Sequence, residues 1–309
     1  MSVTRPIPVW IDTDTAIGVP GSDVDDGLAL IQAFHSPELR VRGVSAVFGN
    51  APLAQTFPLA RDVTERFGPG GVVVARGAAS ADELGRDSDA VRALAAALEQ
   101  APLTILAIGP LTNVGSLLRL RADLAPRIER LVMVAARRPG QRFLSVESQP
   151  TPFPDLNFEC DPGAMHQVLD SNVDLVFAPW EVSSHVWLTA EDLDRLDGAS
   201  ESGSYIAQHS RAWLEIWQKS MGAPGFNPFD SLAVAWLTHP ELIETLDVRV
   251  WIEDGPSDTP SASEAQTETK PYLLVTPERQ GRRALYCHRP DPAIKAILLS
   301  RLAAPHAPA

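Results

Sequence analysis

Apolar runs of four to eight residues bounded by polar turns read as buried strands, and apolar positions three and four apart read as helices facing a core. The two patterns alternate through the first two-thirds of the chain. Strands are predicted at residues 8–11 (PVWI), 41–48 (VRGVSAVF), 72–75, 103–108 (LTILAI), 128–136 (containing LVMVAA) and 173–178 (VDLVFA). Helices are predicted at 26–35, 51–67, 89–100, 111–120 and 162–169. The first of these helices opens on acids, where the helix dipole favours negative charge. This rhythm predicts an α/β fold with a mostly parallel sheet covered on both faces. The last third differs. It holds a long helix at 205–221 carrying Trp213 and Trp217, and another at 230–237. Residues 253–270 are rich in Ser, Thr, Pro and acids and are expected to form a flexible surface loop. Only about 40 residues follow, too few for a separate domain. A single domain over residues 1–309 is therefore expected.

Composition narrows the partners. The 309 residues are 45% hydrophobic and 21% charged, which suits a globular chain with a large core. A net charge of -13 repels phosphate backbones and argues against nucleic acid, while leaving a neutral nucleoside or sugar open. No window approaches the roughly 18 apolar residues of a membrane span, and the start, MSVTRPIPVWIDTDT, lacks the apolar stretch of a signal peptide. A cytoplasmic protein with no membrane partner is expected. Cys160 and Cys287 have no CxxC spacing; two free thiols are expected, with a single disulfide left open. The GPGG at 68–71 lacks the Lys and Ser/Thr of a phosphate loop.

The polar residues that follow the strands carry the chemistry. Asp12 and Asp14 follow the first strand, Asn50 the second, and Thr112 and Asn113 the strand at 103–108. Ligands of open parallel sheets bind outside the carboxyl ends of the strands, so these groups should share one rim. Asp12, Asp14, Asp23, Asp25 and Asp26 place five carboxylates within 15 residues. Packed together they repel and titrate upward unless a cation neutralises them. Oxygen ligands on loops suit calcium or magnesium. The plainer reading is a solvated acidic loop that caps a helix. A buried strand leading directly into the cluster weighs against it.

Several segments then resemble the calcium-dependent nucleoside hydrolases that prefer inosine and uridine. WIDTDT followed by VDDGLAL is similar to that family's DxDPGxDD loop. AVFGN ending at Asn50, IGPLTNVGSLL at 108–118, SQPTPFPDLNFECDP at 148–162, PWEVSSHVWLT at 179–189 and FDSLAVAW at 229–236 resemble its later segments, in the family's order. The resemblance implies a Rossmann-like single domain that hydrolyses the N-glycosidic bond of a ribonucleoside, and a homodimer or homotetramer. It implies Ca²⁺ held by Asp14, Asp26, Asp230 and the main-chain carbonyl of Thr112, with Asp14 also taking the proton from a calcium-bound water. Asp25, Asn50 and Asn157 would bind the ribose, and Gln149 and Asp155 would face its 5′ end. Departures from the family pattern fall around the substrate. Residues 15–24 form a longer loop, Asp155 replaces Glu, Gln149 replaces Asn, and Phe229 stands where the family has a histidine beside the departing base.

Trp213 and Trp217 lie four apart on one helical face, which core packing explains. The alternative is that one of them, with Trp217 the candidate, stacks on a base. His185 reads as a structural hydrogen-bonding residue and Cys160 as packing. Two other functions stay open. One is a calcium-dependent nucleoside or sugar binder without catalysis. The other is a haloacid-dehalogenase-like phosphatase with Asp12 as nucleophile of a DxDxT motif. That site needs a lysine at a strand end, and Lys219, Lys270 and Lys295 are the only lysines.

Overall fold

In the computed structural model, which describes residues 5–259 and 268–305, every apolar run of the first two-thirds is a strand. These are β1 (Ile7–Thr13), β2 (Leu39–Ala46), β3 (Val73–Arg76), β4 (Leu103–Ala107), β5 (Ile128–Met133) and β6 (Leu175–Phe177). Between them run α1 (Asp25–Phe34), α2 (Leu53–Phe67), α3 (Asp89–Gln100), α4 (Thr112–Leu120), α5 (Leu156–Cys160) and α6 (Pro162–Leu169). Next come α7 (Trp180–Ser183), β7 (Leu188–Thr189), α8 (Ala190–Leu196), α9 (Glu201–Met221), β8 (Gly225–Phe226) and α10 (Ser231–Thr238). The chain closes with β9 (Ile243–Pro256), β10 (Thr269–Thr276), β11 (Arg282–Pro290) and α11 (Ala293–Leu302).

The main sheet has nine strands in the order β10-β9-β11-β6-β5-β4-β1-β2-β3. From β3 to β11 all neighbours are parallel; β9 runs antiparallel to both β11 and β10. β4 is buried along its whole length, as a strand covered on both faces must be. Alternation along β1 sends Val9 and Ile11 into a core with α1, α2, α9 and α10, and Trp10 into the opposite core with α3, α4 and α6. Trp10 lies against Gly43, where an added Cβ would fall 2.2 Å from the indole. Its Nε1 donates to Ser45 Oγ at 2.9 Å, and that hydroxyl donates in turn to Asp12. Core packing is thus wired to the end of β1.

The sequence reading missed the hairpin of β9 with β10 and its partner β11. The two ends of the expected loop at 253–270 are strand instead. β9 continues through Pro256 and β10 begins at Thr269, while residues 260–267 lie outside the described residues. Lys270 is held in β10 by Glu159 at 2.8 Å and Asp258 at 2.7 Å. Both cysteines are free thiols. Among the described residues no helix is long and apolar enough to cross a membrane.

Candidate active site

β1 delivers Asp12, Thr13 and Asp14 to the carboxyl edge of the sheet, and a ten-residue excursion, 15–24, returns the chain at the N-terminus of α1 with Asp25 and Asp26. Asp12 ties neighbouring elements together. Its Oδ1 accepts from Ser45 on β2 and from Asn113 Nδ2 on α4 at 2.8 Å, and burial pushes its carboxyl up to about 7. Asp26 Oδ1 accepts from Thr13 Oγ1 at 2.5 Å and from the Asp14 amide at 3.1 Å. Asn50 spans both acids: its amide donates to Asp14 Oδ2 at 2.6 Å and its Nδ2 to Asp26 Oδ2 at 3.0 Å. Asp14 Oδ1 is buried and has no hydrogen-bond partner. Glycines make room for this carboxylate. A Cβ on Gly49 would fall 2.0 Å from Asp14 Oδ2, and one on Gly109 would fall 3.0 Å from Oδ1.

Asp230, just before α10, meets this cluster from the far end of the chain; its amide donates to Asp25 Oδ2 at 3.3 Å. Carboxylate oxygens of Asp25, Asp26 and Asp230 lie within 4.8 Å of one another, and all three residues are buried. Burial, then repulsion from neighbouring acids, holds Asp14, Asp25 and Asp230 well above the usual carboxylate range. Burial also raises Asp26, and lifts Asp23 to about 7. Among the described residues no lysine or arginine pairs with any of these acids. Buried like charges without a counter-ion are costly. The three converging oxygen donors and the orphaned Asp14 Oδ1 fit a hard divalent cation. The trio differs from the expected ligand set, because Asp25, assigned to the sugar, belongs to it. Thr112 begins α4 nearby; its carbonyl accepts from Ser116 Oγ at 2.6 Å and its hydroxyl donates to Asp161 at 2.5 Å.

A cavity of about 310 Å³ opens beside the acids. Asp23, Asp25, Asn50 and Asp230 line one part of it, and Asp155 and Asn157 another. Asn157 Nδ2 donates to the carbonyls of Ile108 and Val134, at 2.7 and 3.1 Å, which fixes it across the ends of β4 and β5. Asp155 Oδ2 accepts from the Ala136 amide at 2.8 Å, and burial outweighs the nearby Arg137 to push its carboxyl up to about 7. Five aromatic side chains also line it, Phe143, Phe153, Trp180, Trp213 and Phe229, beside aliphatic residues that include Ile108, Val134 and Leu156. Phe143 and Trp180 stack with centroids 5.1 Å apart and planes 18° apart. Phe153 meets Phe229 edge-on at 6.0 Å.

The structure brings Asp14, Asp25, Asp26, Asn50, Asp155, Asn157, Phe229 and Asp230 together around the acid cluster and the cavity. It sets two others apart. Trp217 is fully buried behind the wall, packed on Phe153, Phe229, Trp187 and Trp213; Trp213, one turn earlier, is the tryptophan of α9 that lines the cavity. Gln149 does not line it either. Its Oε1 accepts from the Ser145 amide, and its Nε2 donates to the carbonyls of Phe143 and Thr151, so the side chain closes its own loop. Phe143, Phe153 and Trp180 went unassigned in the sequence, and Asp23 was read only as a member of the acid cluster. The first two flank that loop, and only the tertiary fold turns them toward the acids. The phosphatase reading fails on geometry. Asp12 is sealed from solvent by Ser45 and Asn113, and no lysine lines the cavity.

Comparison with known proteins finds ribonucleoside hydrolases. The non-specific ribonucleoside hydrolase RihC of Klebsiella pneumoniae is 27% identical over 262 residues, 76% of this chain and 80% of its own. The pyrimidine-specific ribonucleoside hydrolase RihA of Citrobacter koseri is 27% identical over 276 residues, 80% and 84% of the two chains. The plant nucleoside hydrolase PpNRh1 shares the fold with a TM-score of 0.78 at 19% identity, covering 97% of this chain and all of that one. A purine-preferring ribonucleoside hydrolase from Gardnerella vaginalis aligns with a TM-score of 0.75 at 18% identity, over 96% and 98% of the chains. Residues 9–280, which carry both the acidic loop after β1 and Asp230, match the inosine-uridine preferring nucleoside hydrolase model, and the chain belongs to that family.

Proposed function

We propose that this chain hydrolyses the N-glycosidic bond of a ribonucleoside or related N-riboside, releasing free base and ribose, and that its ion is calcium. The observation that carries this reading is the buried acid cluster beside an aromatic cavity, with one oxygen of Asp14 left unpartnered. Asp14, Asp26 and Asp230 would hold the ion, joined by Asp25 and by the Thr112 carbonyl that the family resemblance adds. Such an ion, when bound, grips a sugar diol and makes water more acidic.

The protein's own groups account for the rest. Asp14 is oriented by the Asn50 amide on one oxygen and keeps the other for the proton of the attacking water. Asn157, immobilised by two carbonyls, and Asn50 would bind ribose hydroxyls, with Asp155 toward the 5′ end; their lining of one cavity supports this. Glycoside hydrolysis passes through an oxocarbenium-like state, and the surrounding carboxylates stabilise that developing positive charge. The aromatic wall excludes water and offers ring faces to a planar leaving group.

The test is a panel of purine and pyrimidine nucleosides incubated with calcium-loaded protein, with reducing sugar as the readout and metal analysis of the purified chain beside it. Ribose release that stops on chelation supports the reading. Tight nucleoside binding with no sugar released would support the non-catalytic binder instead.

A further inference from the structure

Breaking the bond from C1′ to nitrogen in a neutral nucleoside sends both bonding electrons into the base. The base then leaves as an anion unless an acid supplies a proton, and such help is worth about a hundredfold or more. The aromatic wall has no means of supplying it. Phe143, Phe153, Trp180, Trp213 and Phe229 carry no titratable group, and no His, Lys, Arg, Tyr, Cys or Glu is among the described residues lining the cavity. The four acids that line it are Asp23, Asp25, Asp155 and Asp230. Three of these belong to the cluster around the trio, and Asp155, read above as facing the 5′ end of the sugar and not the base, is anchored through one oxygen to the Ala136 amide just past β5.

The same residues suit a different leaving group. Granting N-riboside hydrolysis as read above, we propose that the preferred substrate is a cationic N-riboside, in which the ring bonded to C1′ bears a positive charge: a pyridinium riboside or an N7-alkylated purine nucleoside. When its C1′ to nitrogen bond breaks, the electron pair neutralises the ring, which departs uncharged and needs no proton. Water oxygen bonds to C1′, its proton passes to Asp14 and on to solvent, and the products are ribose, neutral base and one proton. Recognition follows from the same wall. Electron-rich ring faces attract a desolvated cation, no basic side chain is among the described residues lining the cavity, and the stacked Phe143–Trp180 pair presents a flat surface.

Two measurements test this. The first compares kcat/KM for nicotinamide riboside and 7-methylguanosine with that for inosine and uridine, each divided by its uncatalysed rate. With intrinsic leaving-group reactivity divided out, recognition of the charged ring is expected to leave the cations ahead of the neutral nucleosides by about tenfold, and the two cations show which ring is taken. The second compares inhibition by 1-methylnicotinamide, a pyridinium cation, with inhibition by neutral nicotinamide. The cation is expected to bind about tenfold tighter, and Trp180→Leu or Trp213→Leu is expected to erase that gap. Equal normalised rates for neutral and cationic ribosides, or equal inhibition by the two nicotinamides, would overturn the proposal and leave N-riboside hydrolysis standing. A folded, calcium-loaded protein that cleaves none of the four would overturn both.

Discussion

Asp14 has two oxygens in unequal positions. One is hydrogen-bonded by the Asn50 amide, and the other is buried and bare. Asparagine at this position keeps the acceptor for Asn50 and removes both the proton acceptor and a buried negative charge next to Asp26. Asp14→Asn should therefore lower ribose release by about a thousandfold, while raising the melting temperature measured in chelator, because it relieves repulsion that nothing else offsets. Retained turnover would remove Asp14 from the chemistry. Phe229 is the complementary case. It lines the cavity and abuts Phe153, yet has no proton to give. Phe229→His should raise turnover of inosine or uridine by about a hundredfold. It should leave a nitrophenyl riboside, whose leaving group departs unaided, nearly unchanged. Parallel kinetics on the three substrates check this. A wild-type chain that already turns over inosine rapidly, with no gain from histidine, contradicts it. The acids were legible in the sequence because consecutive strand-end residues have only one rim to occupy. The choice between Trp213 and Trp217 was not. A spacing of four puts both on one helical face, and which ring meets the cavity depends on Phe153 and Phe229 arriving from other elements.

At the scale of elements, the parallel half of the sheet was readable because its strands are apolar on both faces. β9 was not, because its exposed and buried positions alternate irregularly. β10 follows a segment whose composition reads as loop. What binds β10 to the active-site half is Arg137, just past β5. Its amide donates to Leu273 O at 3.0 Å, and its carbonyl accepts from the Val275 amide at 2.9 Å. Its side chain is buried, bonded to Asp258 at 2.6 Å, near Glu159 at 3.5 Å, and centred 4.0 Å over the Phe143 ring. Lys270 bridges the same two acids. Arg137→Met removes the central cation and strands the two carboxylates with Lys270 alone. Loss of one partner from a buried ion pair costs about 3 kcal/mol, and urea unfolding should show a loss of that size. Because Phe143 lines the cavity, KM should rise as well. An unfolding midpoint unchanged from wild type would mean that the network contributes little.

For the whole molecule, the acid cluster joins residues near the start of the chain to Asp230, more than 200 positions on, and so couples folding to metal and to pH. Asp12, Asp23 and Asp155 are raised from an ordinary 3.8 to about 7, and burial with repulsion from neighbouring acids also holds Asp14, Asp25 and Asp230 well above the ordinary value. Between the unfolded and folded values the folded chain holds more protons than the unfolded one. Stability of the metal-free protein must therefore fall as pH rises through that window. A cation reverses the balance for its ligands, since it binds the carboxylates in the form that repels most without it. An ion at a hundred times its dissociation constant adds about 2.7 kcal/mol, and its affinity grows as the acids ionise. Two melting curves follow. In chelator the midpoint should drop from pH 5 to pH 8. With calcium in excess that drop should be largely abolished, so the gap between the curves is narrow at pH 5 and wide at pH 8. Differential scanning calorimetry at the two pH values measures both. A metal-free midpoint that rises over the same range would show that the buried acids are already compensated within the protein, and a gap that does not widen would detach the cation from Asp14, Asp26 and Asp230.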